Sequence, residues 1–338
     1  MSTSTDTDDS IRVAIACQGG GSHTAYTAGV LKRLLDEHDD RSYELVGLSG
    51  TSGGAICATA AWYGFLAGGA DRAIETLEGI WRDFSAQSPF DRIANEWTVK
   101  LAQFAARGGP LMVLSPYELP FTSVGRDRFL STLESHVEFD RVPELADGAD
   151  VDLIVGAADV TEGEFDTFRN EEVTAEAVLA SAAIPTLFEA VEIGGHWYWD
   201  GLFSQNPPIR DFLTIPDDPR EKPDEIWIIQ INPKRREKVP KSVEEIGDRR
   251  NELAGNLSLY QEIYFIERIN TLIERGSLPA QYKQVEVRKL SLDGDLSAPS
   301  KLDRNPEFID GLIRRGEGRA ERFLEEWSRG TSSNARQS

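Results

Sequence analysis

The chain is poor in cysteine, methionine, histidine and lysine. Its 338 residues include two cysteines, two methionines, four histidines and nine lysines, against 27 arginines. Two cysteines cannot build a disulfide framework or a cysteine-rich metal site. Cys17 and Cys57 both stand in apolar segments and read as small buried hydrophobes. No run approaches the ~18 apolar residues that a membrane-spanning helix needs. Residues 1–10 are polar and acidic, without the basic start and apolar middle of a secretory signal, so they read as a disordered tail. The expected location is cytoplasmic, and neither a cofactor nor a metal ion is expected.

Acidic residues are abundant. The 57 Asp and Glu against 36 Lys and Arg leave a net charge of −21. Low lysine with high Asp and Glu is the surface chemistry of proteins that stay dissolved in concentrated salt, where the Debye length falls to about 3 Å and self-repulsion is screened. A halophilic source is therefore expected. The same charge argues against a nucleic-acid partner and against simple electrostatic docking on anionic lipid.

Strand-like and helix-like segments alternate. Arg12–Cys17, Tyr43–Ser49, Val151–Ala157, Trp197–Trp199, Glu225–Ile231 and Gln284–Leu290 read as strands. Residues 25–35, the run after Gly54, residues 175–183, 254–272 and 306–327 read as helices, and 70–140 is mostly helical in pattern. This alternation predicts one α/β domain over residues 11–328, with a disordered tail at 329–338.

Gly50-Thr51-Ser52-Gly53-Gly54 is a Gly-x-Ser-x-Gly pentapeptide between a short apolar strand and a small-residue helix. A strand that turns sharply into a helix exposes the turn residue, and its glycines make room for a strained backbone. The helix N-terminus brings its positive dipole end to the serine oxygen. Many such pentapeptides are ordinary turns, so Ser52 also needs a base and an oxyanion hole.

Gly19-Gly20-Gly21 lies between the first strand and the first helix. Such a loop leaves backbone N–H groups unshielded, to bind phosphate or to stabilise an oxyanion. A P-loop would end in Gly-Lys-Ser/Thr, but the first lysine is Lys32, and a dinucleotide fingerprint would need glycine where Thr24 stands. The oxyanion hole is favoured over a purely structural turn, because neighbouring βα loops of a parallel sheet open on the same edge.

No histidine stands out as the base. His38 and His136 sit in acidic, surface-like stretches, and His196 lies in a hairpin-like turn with no evident acidic partner before it. Asp200 follows Trp197-Tyr198-Trp199 and precedes Gly201, at the end of an apolar strand. A carboxylate there is partly desolvated and accepts the serine proton if it lies within ~2.6–3.2 Å. The competing reading is a plain Asp-Gly turn.

Together, Gly19–Gly21, Gly50–Gly54 and Asp200-Gly201, with Ala180–Pro185 before the aspartate and Asn206-Pro207-Pro208 after it, resemble the patatin-like phospholipases over residues 11–212. The resemblance implies a three-layer α/β/α sandwich with a mainly parallel sheet. It implies a Ser52–Asp200 dyad without a catalytic histidine, and an oxyanion hole built from the amides of Gly19, Gly20 and Gly21. His23, Gly50, Gly53, Gly54 and Gly201 support the motifs. The implied activity is hydrolysis of lipid acyl esters through an acyl-enzyme, with a lipid or acyl-ester substrate and peripheral membrane contact. Two alternatives are a catalytically weak lipid-binding or scaffold protein on the same fold, and a Ser–His esterase using His196.

Two positions depart from the family pattern. His23 and Thr24 stand where a basic residue and a glycine are usual. A histidine that titrates there would lower activity as the pH rises between about 6 and 8. Leu202 stands where a small residue often follows Asp-Gly, which bears on the packing beside the base. Residues 88–125, with Pro89, Phe90, Trp97, Phe104, Leu111–Leu114, Tyr117 and Phe121, read equally as a lid or acyl-chain wall and as buried core.

Overall fold

The computed structural model describes residues 10–38, 43–106, 115–118, 122–185, 187–216, 218–294 and 296–334. Among these, eight strands form one sheet: β1 (Ile11–Cys17), β2 (Tyr43–Gly50), β3 (Asp152–Asp159), β4 (Phe165–Arg169), β5 (Val191–Ile193), β6 (His196–Asp200), β7 (Glu225–Gln230) and β8 (Glu286–Ser291). Their order is β5-β6-β3-β2-β1-β7-β8, with β4 also pairing with β3. β1, β2, β3, β7 and β8 run parallel, whereas β4 and β6 lie antiparallel to β3 and β5 antiparallel to β6.

The helices are α1 (Ala25–Asp36), α2 (Gly53–Phe84), α3 (Pro89–Ala106), α4 (Thr122–Glu134), α5 (Val142–Ala146), α6 (Ala175–Ser181), α7 (Asp211–Thr214), α8 (Val243–Glu274) and α9 (Pro306–Asn334). β1 and β7 are apolar almost throughout because both sheet faces are covered. On one face Val13, Ile15, Cys17, Trp227 and Ile229 pack with residues of α1, α2 and α9. On the other, Ala14, Ala16, Ile226 and Ile228 pack with Phe212 of α7 and Leu259, Ile263 and Ile266 of α8. The result is three layers with a mixed, mostly parallel sheet in the middle, as the sequence implied. Cys17 and Cys57 are buried free thiols.

The short antiparallel strands β4 and β5 carry too few residues to have shown a period in the sequence. α8 begins eleven residues before the apolar pattern at 254, because a capping box starts it: Glu245 N–H donates to Ser242 Oγ (3.1 Å) and Ser242 N–H to the Glu245 carboxylate (3.0 Å). α9 continues past Trp327 to Asn334.

The parallel strands place all their βα turns on one edge. α8 starts outside that edge and crosses it at Gly255 and Asn256: Gln18 donates to Asn256 Oδ1 (3.0 Å), and a Cβ on Gly255 would meet Leu202 and Asn206. It then runs beneath the sheet to Asn270, which brackets Val285 just before β8. Among the described residues, no helix is long and apolar enough to cross a membrane.

Candidate active site

Ser52 is the hinge between β2 and α2. Its φ of 57° lies in the left-handed region, where a non-glycine residue is strained, as expected of a nucleophile elbow. Two contacts hold it there. Ser52 N–H donates to Ser181 Oγ (3.0 Å), and that hydroxyl donates to the Gly156 carbonyl (2.6 Å). Ser181, at the end of α6, therefore clamps the elbow to β3. The next amides, Gly54 and Ala55, donate to Thr51 and Ser52 carbonyls and start α2.

The glycine loop lies directly on this elbow. A Cβ on Gly19 would stand 2.6 Å from the Thr51 carbonyl oxygen and 2.8 Å from Ser52 Cβ. Gly19 N–H donates to Asn206 Oδ1 (2.7 Å). Among the described residues, the N–H groups of Gly20 and Gly21 have no protein acceptor. Gly21 has a φ of 58°, which turns the loop into a single 3₁₀ turn and then α1. The loop is braced by Gln18, which is fully buried. Its Oε1 accepts from the N–H groups of Ile231 (2.9 Å) and Asn232 (2.8 Å), while its Nε2 donates to the Asn206 carbonyl (3.3 Å).

Asp200 ends β6 and is 1 % exposed. It is no hairpin turn: Asp200 N–H donates to the Ala183 carbonyl (3.0 Å), and Leu202 N–H donates to Asp200 Oδ1 (2.8 Å). The Ser52 hydroxyl lies near enough to the carboxyl to favour its charged form. Burial raises the Asp200 pKa from the usual carboxylate value to about 7, against the pull of the Leu202 amide and the Ser52 hydroxyl. Leu202 is accommodated because Gly255 of α8 stands opposite it.

The histidines differ from expectation. His23 is buried beside the loop, 2.8 Å from Ser300 Oγ. Burial first, and the nearby charges of Lys301 and Arg315 second, lower its pKa to about 3. The ring is therefore neutral at pH 6–8, and the expectation that its titration shapes activity in that range is corrected. His196 does have an acidic partner: its Nδ1 lies 2.7 Å from Asp159 Oδ2. The sequence could not show it, because Asp159 reaches His196 only through the pairing of β3 with β6. His38 packs edge-on against Tyr43 and Phe65 rather than standing in solvent, and His136 pairs with Asp83 (2.8 Å).

Gln18 braces the site though no motif singled it out, while Asn206 and Ser181 stood within the supporting motifs without a stated role. Each is polar and almost fully buried. The one signal for Gln18 was a polar residue at the junction of an apolar strand and a glycine run.

An elbow serine, a glycine loop against it and a buried carboxyl near it stand together at one edge of the parallel strands. The patatin-like phospholipase family matches residues 15–213, more than half of the chain, and this chain belongs to that family. Comparison with curated proteins gave no match. Among solved structures, the chain is similar to VipD from Legionella pneumophila, at 13 % identity and a TM-score of 0.44, over 94 % of this chain and 67 % of that one. It is also similar to the heterodimeric ExoU–SpcU complex from the type III secretion system of Pseudomonas aeruginosa, at 16 % identity and a TM-score of 0.37, over 94 % of this chain and 52 % of that one. The chain thus spans about two thirds of the first and about half of the second.

Proposed function

We propose that this chain hydrolyses lipid acyl esters with a Ser52–Asp200 dyad. The observation that carries the reading is the place of the Ser52 hydroxyl beside a buried carboxyl whose pKa is raised to about 7, where a general base works best at neutral pH. Ser52 Oγ attacks the ester carbonyl carbon and its proton passes to Asp200. The oxyanion takes the free amides of Gly20 and Gly21, and Gly19 acts as the brace of the loop through Asn206. The tetrahedral intermediate collapses, the alcohol leaves with the proton from Asp200, and an acyl-enzyme remains on Ser52. Asp200 then takes a proton from water as it attacks the acyl carbonyl; the second tetrahedral intermediate collapses, the proton passes from Asp200 to the departing Ser52 Oγ, and the fatty acid is released.

The place of His196 supports the dyad over a Ser–His arrangement. It begins β6, four residues and about 13 Å along the strand from Asp200. An acyl chain has apolar space nearby. A largely apolar cavity of about 450 Å³ runs between α7 and α8, lined by Leu213, Phe265, Ile266 and Ile269, and it reaches Ser204 and Gln205 of the segment that follows Asp200. The acidic surface suits work in concentrated salt.

A fluorophosphonate probe at high salt tests the reading on wild type, Ser52→Ala and Asp200→Asn. Wild type is expected to label and to hydrolyse a lipid ester. Ser52→Ala is expected to do neither, and Asp200→Asn to lose hydrolysis by about a thousandfold. Labelling that survives Ser52→Ala overturns the proposal.

A further inference from the structure

α3 is amphipathic but turned inside out. Phe90, Ile93, Trp97, Leu101 and Phe104 recur at spacings of three and four and share one face. That face is open to solvent: Phe90 is 80 % and Trp97 71 % exposed, and the other three are more than half exposed. The residue that anchors the helix inward is polar. Asn95 is buried, donates to Asp303 Oδ1 (2.8 Å) and accepts from Arg304 N–H (2.9 Å). An ordinary surface helix does the reverse.

α3 packs against α8 and against the turn at Ala298–Leu302, which borders the glycine loop. α8 crosses the active-site edge of the sheet at Gly255, so residues 243–254 stand about 18 Å beyond that edge. This overhang and the turn that follows it also present apolar side chains to solvent: Val243, Ile246, Leu253 and Leu257, each more than half exposed. Two neighbouring helices thus hold an apolar rim on the same side of the molecule as Ser52. A contiguous exposed patch of this kind marks an interaction surface.

Charge identifies the occupant. Although the whole chain carries −21, three of its nine lysines and two arginines fall in the eight residues 234–241, immediately before the overhang. Arg236 is paired with Asp248 and Glu252. Among the described residues, no carboxylate forms an ion pair with the side chain of Lys234, Arg235, Lys238 or Lys241, although the Lys241 backbone N–H donates to Glu245 (2.8 Å). Two carboxylates of the overhang are already engaged, Asp248 and Glu252 holding Arg236, Arg249 and Lys301, and the exposed Glu245 caps α8. Glu237 is the one acidic residue within the basic segment. Val239 stands 77 % exposed among those cations. Exposed cations beside exposed apolar side chains, with Lys234 also lying over the Tyr260 ring (4.4 Å), fit an anionic lipid surface. The total charge of −21 does not oppose such docking locally, because screening confines each charge to about 10 Å at moderate salt.

We propose that α3, the overhang of α8 and the basic segment 234–241 form a docking surface for an anionic phospholipid bilayer, which brings Ser52 to its substrate. This rests on the lipid-hydrolase reading for its purpose but not for its test. Full-length Ser52→Ala chain, which leaves the lipid intact, is floated with vesicles of phosphatidylcholine alone and of an equimolar phosphatidylcholine–phosphatidylglycerol mixture. The salt is the lowest at which circular dichroism shows the native fold. Binding is expected to the mixed vesicles, weaker to phosphatidylcholine, and to fall as salt rises. Lys238→Gln/Lys241→Gln is expected to weaken partitioning about tenfold or more, and Trp97→Ser/Phe104→Ser by at least as much. The same substitutions in the active chain are expected to leave hydrolysis of a short, soluble ester unchanged. Equal binding by wild-type face and variants overturns the proposal. So does a dimer that Trp97→Ser/Phe104→Ser dissociates in a chain that ignores vesicles. Failure of the unsubstituted surface to bind either vesicle, in a chain that hydrolyses the soluble ester when Ser52 is present, sinks the surface and spares the dyad; vesicle binding by a chain that hydrolyses no ester even with Ser52 present does the opposite.

Discussion

Gly19 lies so close to Ser52 that a Cβ at position 19 would stand 2.8 Å from the serine's own Cβ. The glycine loop and the Ser52 elbow, one strand apart in the sheet, are therefore one packed unit. Gly19→Ala has to push the loop off the elbow, since the Thr51 carbonyl blocks the other side at 2.6 Å. The expected outcome is a fall in kcat of about a hundredfold or more, the scale of losing an oxyanion donor. Because the enzyme's core is untouched, near-native circular dichroism is expected alongside it. Steady-state kinetics on a soluble ester check this.

Asp200 predicts the direction of the pH profile. The proposed base works as the carboxylate, so activity is expected to rise with pH through a midpoint near 7. Stability moves the opposite way. The folded pKa is raised above the unfolded value of about 4, so its stabilisation is complete below pH 4 and is lost as the pH rises through about 7. Asp200→Asn removes that loss. Relative to wild type, the variant is expected to gain roughly 4 kcal/mol between pH 4 and 8. Urea unfolding at the two pH values measures it.

His23 predicts behaviour in acid, not near neutrality. Its folded pKa is depressed to about 3, so its contribution is present above about pH 6.5 and is lost as the pH falls towards 3. His23→Gln, which keeps a hydrogen-bonding group opposite Ser300, is expected to flatten the stability loss in that window. The midpoint of the activity profile near pH 7 is expected to stay where it is. A midpoint that moves with His23→Gln would assign the titration to the histidine.

The charge of −21 predicts a stabilising effect of salt. Raising potassium chloride from about 0.1 to 1 M shortens the Debye length from about 10 to 3 Å and removes most of the surface self-repulsion. The melting temperature is expected to climb by several degrees over that range. A flat or falling trend in a thermal scan would count against adaptation to salt.

Some features were legible in the letters alone because they are local. A strand, a glycine run and a helix start within a few residues of one another, and so do the strand, elbow and helix around Ser52. Neighbour-to-neighbour sterics and period decide such segments, which is why β1, β2, α1 and the parallel order of layers were readable. Asp200 was readable as a candidate because an apolar strand carried it. The start of α8 was not, since its first turns are held by a polar capping box and present apolar residues outward.

The sequence by itself determined the chemical inventory: a strained serine, glycines that can approach it, a carboxyl on a buried strand, and a strongly acidic chain. Tertiary structure alone decided how that inventory is used. Gly19 meets Asn206 across 187 residues of chain. His23 is neutral because the segment around Ser300 closes over it. α3 turns its aromatic face to water because Asn95 finds Asp303 and Arg304. The physical reason is the same in each case. Burial and hydrogen-bond partners belong to the surroundings of a residue, and only the folded chain assembles those surroundings.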